Sequence, residues 1–251
     1  MSEADAVTAA VIIIGNEVLS GRTRDANLAY LGKALDAAGV RLREARVIPD
    51  DAEVIVETVN ECRERFGYVF TTGGIGPTHD DITSACVARA FGATLHRNAE
   101  AEALLRRHYR PEDVNETRLK MADVPEGATP IANPVSAAPG FQLGNVFVLP
   151  GVPRIMQAMF EGLRHRLAGG APMVSTTVAA FVTEGAVAAG LAEAQAEHPT
   201  VEIGSYPFVR DGRLGTSLVV RAPDAAAVEA AAVAVEAAVR AAGGEPMRED
   251  G

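Results

Sequence analysis

Tyr68-Val69-Phe70-Thr71-Thr72-Gly73-Gly74-Ile75-Gly76-Pro77-Thr78-His79-Asp80-Asp81 decides how the rest of the chain is read. Its opening residues, Tyr68 to Thr72, are all aromatic or β-branched, the composition of a strand. Glycines then break the strand and a helical pattern follows, which predicts a helix from about Asp80 to Phe91, closed by Gly92. The turn between them has two readings. Residues without Cβ let backbone N–H groups approach an anion, with the N-terminus of the next helix aimed at the same point. Glycines also serve a tight turn for conformation alone, and the residues by themselves leave both readings open. The spacing is neither the phosphate loop G-x-x-x-x-G-K-[ST] nor the dinucleotide pattern G-x-G-x-x-G.

Upstream, Val11-Ile12-Ile13-Ile14 ends at Gly15, a continuous apolar run that fits a strand buried on both faces. Leu28, Leu31 and Leu35 follow at helical spacing and Gly39 stops that helix. Val40 to Ile48 supplies a second strand. Asp50 or Asp51 is expected to cap a helix carrying Ile55, Val59, Cys62 and Phe66, and Glu53 could complete a capping box with Asp50. Downstream, helices are expected over about Ala99–Tyr109 and Glu112–Met121, and strands at Thr129–Ile131 and Val146–Leu149. Met156, Met159, Phe160, Leu163 and Leu167 mark an amphipathic helix that stops at Gly169-Gly170. Strand and helix alternate, which predicts an α/β domain whose mainly parallel sheet is covered by helices on both faces. Ligands of such sheets bind outside the carboxyl ends of the strands.

Gly169-Gly170-Ala171-Pro172 has the composition of a linker and divides the chain into domains 1–170 and 171–251. Beyond it the order changes: a strand at Val174–Val182, an Ala-rich helix at Glu184–Glu197, a hairpin of Val201–Val209 and Leu214–Arg221 turning at Asp211-Gly212, and a helix over about Asp224–Ala242. This predicts a small α+β domain.

Composition narrows the function classes. A net charge of −10 with only Lys33 and Lys120 as lysines argues against nucleic acid. No apolar run is long enough for a membrane helix. The acidic start Met1-Ser2-Glu3-Ala4-Asp5 is unlike a signal peptide, so a cytoplasmic protein is expected. Cys62 and Cys86 both fall on expected helices and are read as buried free thiols.

Loops Gly15–Asp25, Pro49–Asp51, Gly73–Asp81 and Pro150–Arg154 each follow an expected strand and would meet at one sheet edge. That edge would gather Glu17, Asp25, Asp50, Asp80 and Asp81. Each aspartate taken singly reads as a helix cap. Together, beside an anion site, they suggest a hard cation held between carboxylates and phosphate oxygens. His79 reads as a solvated loop residue, and no nucleophile elbow or histidine metal motif is present.

Ile14-Gly15-Asn16-Glu17-Val18-Leu19-Ser20-Gly21 with Asp25-x-Asn27, the Thr72–Asp81 loop extended to Thr83, Asn133-Pro134 followed by Ala138-Pro139-Gly140-Phe141, and Leu149-Pro150-Gly151-Val152-Pro153 resemble the competence/damage-inducible protein A (CinA) family. Its first domain is similar to the molybdopterin-binding (MoCF) domains of the MogA and MoaB type. The resemblance covers about residues 8–168. The tail is similar to the small domain that follows in CinA-like proteins, and Ile203-Gly204-Ser205-Tyr206-Pro207 is similar to eukaryotic FAD synthases. The family implies a three-layer αβα fold and places Asp50 and Asp81 at its two essential aspartates. Two positions depart from the family pattern: Ser136-Ala137 stands where Gly-Thr is usual, and Ile155 replaces an acid. No nicotinamide-nucleotide amidase segment is recognisable after the tail, so deamidase activity is not expected.

The resemblance implies a nucleotide pyrophosphatase acting on ADP-ribose or FAD-like dinucleotides, dependent on a divalent metal (Mg, Mn or Co), with no flavin or NAD held as a redox cofactor. Asp81 and Asp50 would be catalytic, and Asp80, Glu17 and Asp25 would join them on the metal. Gly73, Gly74, Gly76, Thr78, Ser20, Gly21, Asn133, Pro150 and Gly151 would hold phosphate or nucleotide. One alternative is binding or adenylylation of molybdopterin; another is a non-catalytic binding or regulatory protein. The expected partner is a small nucleotide or pterin, not nucleic acid or membrane, and a homo-oligomer is expected, a dimer first.

Overall fold

The computed structural model describes residues 7–249, so the acidic start used above lies outside the described residues. The chain forms two compact units, Met1–Gly170 and Ala171–Gly251.

In the first unit, β1 (Thr8–Ile14) is followed by a short helix α1 (Asn16–Leu19) and by α2 (Asn27–Ala37). Then come β2 (Arg41–Ile48), α3 (Ala52–Arg65), β3 (Tyr68–Thr72) and α4 (Thr83–Ala90). An excursion holds β4 (Leu95–Arg97), α5 (Ala99–His108), α6 (Glu116–Leu119) and β5 (Asp123–Pro125). The unit closes with β6 (Thr129–Ile131), β7 (Gly140–Leu143), β8 (Val146–Leu149) and α7 (Pro153–Leu163).

The main sheet runs β2-β1-β3-β8-β7-β6. Strands β2, β1, β3 and β8 are parallel, and β7 pairs antiparallel with both β8 and β6. Alternation along β1 sorts its side chains into two cores. Ile12 and Ile14 pack with Ile55, Val59 and Cys62 of α3 and Cys86 and Val87 of α4. Val11 and Ile13 pack with Leu31 and Leu35 of α2 and Met156, Met159, Phe160 and Leu163 of α7. The result is a three-layer αβα unit. Phe70 of β3 stacks on Phe147 at 5.0 Å and lies 5.7 Å from Phe160, joining central sheet to outer layer.

Two local expectations are corrected and one alternative is decided. Helix α4 begins at Thr83 rather than Asp80, and Ile82 precedes it without a side-chain cap. Thr83 N–H is taken by Gly74 C=O, which fixes the start of the helix from the loop side. Asp51, not Asp50, caps α3, accepting from Glu53 and Val54 N–H. The expected Glu112–Met121 helix is broken into a 3-10 turn at Pro111–Asp113, α6 and a further 3-10 turn, because Asn115 starts a new cap by accepting from Arg118 N–H.

The second unit contains β9 (Val174–Ala180), α8 (Glu184–Glu197), β10 (Glu202–Arg210), β11 (Arg213–Ala222), α9 (Ala225–Ala241) and β12 (Met247–Glu249). Its antiparallel sheet runs β10-β11-β9-β12. Asp211 and Gly212, with φ of 53° and 74°, make the two-residue turn of the hairpin. Such a turn makes Arg210–Arg213 the closing hydrogen-bonded pair, so Pro207, opposite Thr216, falls at a non-hydrogen-bonded pair with its nitrogen toward the open edge. Val178, Ala180, Leu218 and Val220 meet Val187 of α8 and Val228, Val235 and Val239 of α9 in a separate core.

Because each unit encloses cores of its own, a chain ending at Gly170 is expected to unfold in one cooperative transition, followed by circular dichroism against temperature. A gradual, non-cooperative melt would count against it.

Candidate functional site

The ends of β1, β3 and β8 meet with no room for side chains. Gly73 has φ of 108°, and a Cβ there would lie 2.2 Å from Ile14 O. Its N–H donates to Leu149 C=O. Gly151 comes so close that a Cβ would lie 3.4 Å from Gly73 Cα. Asn27, 2% exposed at the start of α2, donates from Nδ2 to Gly151 O at 2.8 Å and so ties the first loop to the last.

Around this junction opens a cleft of about 490 Å³. Glu17, Asp50, Asp80 and Asp81 give it acid, while Ile75, Met121, Ala138, Val152 and Ile155 give it an apolar wall. Gly73, Gly74, Gly76, Asn133, Pro150 and Gly151 also line it. Among the described residues no Lys or Arg does.

The glycine loop serves the conformational reading. Gly74 has φ of 67°, and a Cβ would lie 2.2 Å from Thr83 Oγ1. A Cβ on Gly76 would lie 2.6 Å from Asp81 Oδ2. The glycines therefore admit the protein's own side chains. Yet among the described residues the N–H groups of Gly74, Ile75 and Gly76 donate to no protein acceptor. A run of consecutive free N–H groups is a feature that anion-binding loops share.

The carboxylates are individually engaged. Asp50 Oδ2 accepts from Asn16 N–H at 2.8 Å. Asp81 Oδ2 accepts from the N–H and hydroxyl of Thr78 at 2.8 and 2.5 Å, turning back into its own loop instead of capping α4. In each case the other oxygen has no protein donor among the described residues. Asp80 is held below the usual carboxylate range, first by the Thr78 hydroxyl and then by its own backbone N–H. That hydroxyl has one proton and directs it at Asp81 here, so the two acids compete for it. Glu17 folds onto Gly15, where a Cβ would meet its oxygens at 2.6 Å.

Other expected site residues lie elsewhere. Asp25 caps α2, accepting from Leu28 N–H, and lines a smaller cavity of about 50 Å³ with Glu17, Asn27 and Thr72. Ser20 and Gly21 are exposed and outside the cleft lining, as is Thr78. Asn133 spends its amide on its own turn, accepting from Val135 and Ser136 N–H and donating to Ser136 Oγ and Ala138 O. This turn holds Ala137 at φ of 63°, unusual for a residue with Cβ. Cys62 and Cys86 are buried free thiols, pushed up by that burial and remote from the cleft lining.

Five acids were expected around one cation: Glu17, Asp25, Asp50, Asp80 and Asp81. Among the described residues no three His, Cys, Asp or Glu side chains converge to hold a metal ion. Asp25, Asp50 and Asp81 each accept from a different backbone N–H, and Asp80 competes with Asp81 for the Thr78 hydroxyl. The residues present do not fit a resident metal.

Comparison with known proteins follows this geometry. Residues 10–168 match the family described as a probable molybdopterin binding domain. The chain belongs to that family. Residues 172–243 match the middle domain of FAD synthase. A protein of Pyrobaculum calidifontis is 40% identical over 211 residues, 80% of each chain. A CinA-like protein of Desulfosudis oleivorans is 40% identical over 159 residues, 61% of this chain and 38% of that longer one. The crystal structure of a CinA protein with unknown function from Thermoplasma acidophilum is 37% identical, with a TM-score of 0.61, covering 64% of this chain and 98% of that one. Within the molybdopterin-binding family unit, three lining residues, Met121, Ser136 and Ala138, were not expected at the site. Met121 comes from the excursion and Ser136 and Ala138 from the Asn133 turn, and no spacing rule links these to the strand ends.

Two of the glycines with φ near 70°, Gly21 and Gly74, should resist a Cβ, but unequally. Gly21 (φ 73°) has nothing within 4 Å of an added Cβ, whereas Gly74 meets Thr83. Gly21→Ala is expected to cost about 1 kcal/mol of backbone strain, and Gly74→Ala roughly 2–3 kcal/mol, read from urea midpoints. Equal losses would mean that the Thr83 contact is without weight.

Proposed function

We propose that the cleft binds a ligand combining phosphate with a heteroaromatic ring, and that the protein hydrolyses the phosphoanhydride of a dinucleotide such as ADP-ribose or an FAD-like molecule. The free N–H groups of Gly74, Ile75 and Gly76 carry this reading, because they share one cleft with an apolar wall fit for a ring. The likeness of the tail to the FAD synthase middle domain supports a dinucleotide. The two buried free thiols suit a reducing, cytoplasmic setting.

In this reading the N–H cradle orients one phosphate. Asp81 and Asp50, each with one oxygen free of protein donors, take the proton of the water that attacks phosphorus. The anhydride P–O bond breaks and each product leaves with one phosphate. Glu17 and Asp80 would repel that phosphate, so a divalent cation (Mg, Mn or Co) belongs to the substrate complex and not to the free protein. Removing divalent ions with a chelator is therefore expected to leave the melting temperature of the free protein unchanged and to abolish phosphate release from ADP-ribose. A large fall in melting temperature would contradict this.

The family description favours a second reading, a pterin ligand. Thermal shift separates the two, since the true ligand raises the midpoint by mass action.

Asp81→Asn is the decisive substitution. Its carboxylate does not cap α4, so the fold loses little, and an amide oxygen can still accept from Thr78 N–H. Turnover should drop by about two to four orders of magnitude, the scale of a positioned acid–base group. Near-normal turnover in Asp81→Asn would sink the catalytic role.

A further inference from the structure

Lys120 stands at the cleft rim in an unusual position. It is one of the two lysines of the chain, and its Nζ donates to Asp81 C=O at 3.2 Å. Among the described residues it forms no ion pair, unlike Arg46, Arg89, Arg97, Arg210 and Arg221, each of which is paired with an acid. Its backbone is anchored: Leu119 before it is 3% exposed, and Ala122 after it is fully buried in the small core of the excursion. Between them Met121 lines the cleft. The backbone is thus fixed while the side chain itself is exposed.

The cleft has acids, free N–H groups and no lining cation. A ligand with two phosphates needs positive charge there, and Lys120 is bonded to the backbone of a lining residue. An ammonium has three donors and a flexible stem, so it can keep or exchange one carbonyl while contacting phosphate oxygens.

We propose that Lys120 is the phosphate-recognising cation of this cleft, delivered from the excursion between β4 and β5 rather than from the strand ends. The inference rests on the reading of the cleft as a phosphate site. It makes the excursion a specificity element, setting preference for diphosphates over uncharged nucleosides.

Titration calorimetry with ADP and Mg tests it on the full chain, comparing wild type, Lys120→Gln and Lys120→Arg, with melting curves for each. Lys120→Gln is expected to melt like wild type and to weaken ADP by about tenfold, the worth of one charge-assisted contact, with most of the affinity restored in Lys120→Arg. Increasing salt should weaken ADP binding to wild type more steeply than to Lys120→Gln. ADP binding within twofold of wild type in Lys120→Gln overturns the proposal while leaving the cleft reading intact, and so does an Arg variant as weak as the Gln variant. No ADP binding by wild type overturns the cleft reading, and this inference with it.

Discussion

Everything at the cleft depends on one close approach, the backbone of Gly73 against Ile14 O. A side chain there would sit 2.2 Å from the carbonyl, so only glycine lets β3 turn across the end of β1. The same residue bonds Leu149 and touches Gly151, so the ends of the three parallel strands are locked by main chain alone. Among the described residues the N–H groups of the next three residues have no protein acceptor. That row of free donors is a by-product of how the sheet edge closes.

The second theme is opposition of charge. Glu17, Asp50, Asp80 and Asp81 crowd the mouth of a site whose free donors suit an anion. In an ordinary surface groove this would weaken binding. Here each acid is bound to its own local donor or glycine niche, so the crowd is held apart and does not collapse into a cage. Under the proposed function, positive charge would come with the ligand or from the rim, and an anion that arrives neutralised would be favoured over a bare one.

The layers were legible because burial leaves a periodic mark. Val11–Ile14 is apolar on both sides because α2 and α7 cover one face and α3 and α4 the other. The glycine loop and the acids around it could be named for the same reason: their residue types are rare and clustered. Three things left no such mark. Strand β7 has a glycine and a glutamine among its four residues and so lacks the apolar run that marks β8. The breaks at Asn115 and Thr83 depend on single hydrogen bonds that compete with helix propensity. Lys120 and Met121 reach the cleft through the tertiary fold of the excursion, which no local pattern encodes.

Pro207 shapes what can happen at the open edge of the second unit's sheet. Strand β10 is an edge strand with exposed Tyr206 and Val209, the profile of a segment that recruits foreign strands. A ring nitrogen without hydrogen, midway along its open side, interrupts the ladder that any incoming chain would have to form. The edge can still offer its side chains, but not an unbroken main-chain template. An incoming strand at this edge thus meets a broken template, and association along β10 has to be built from side-chain packing.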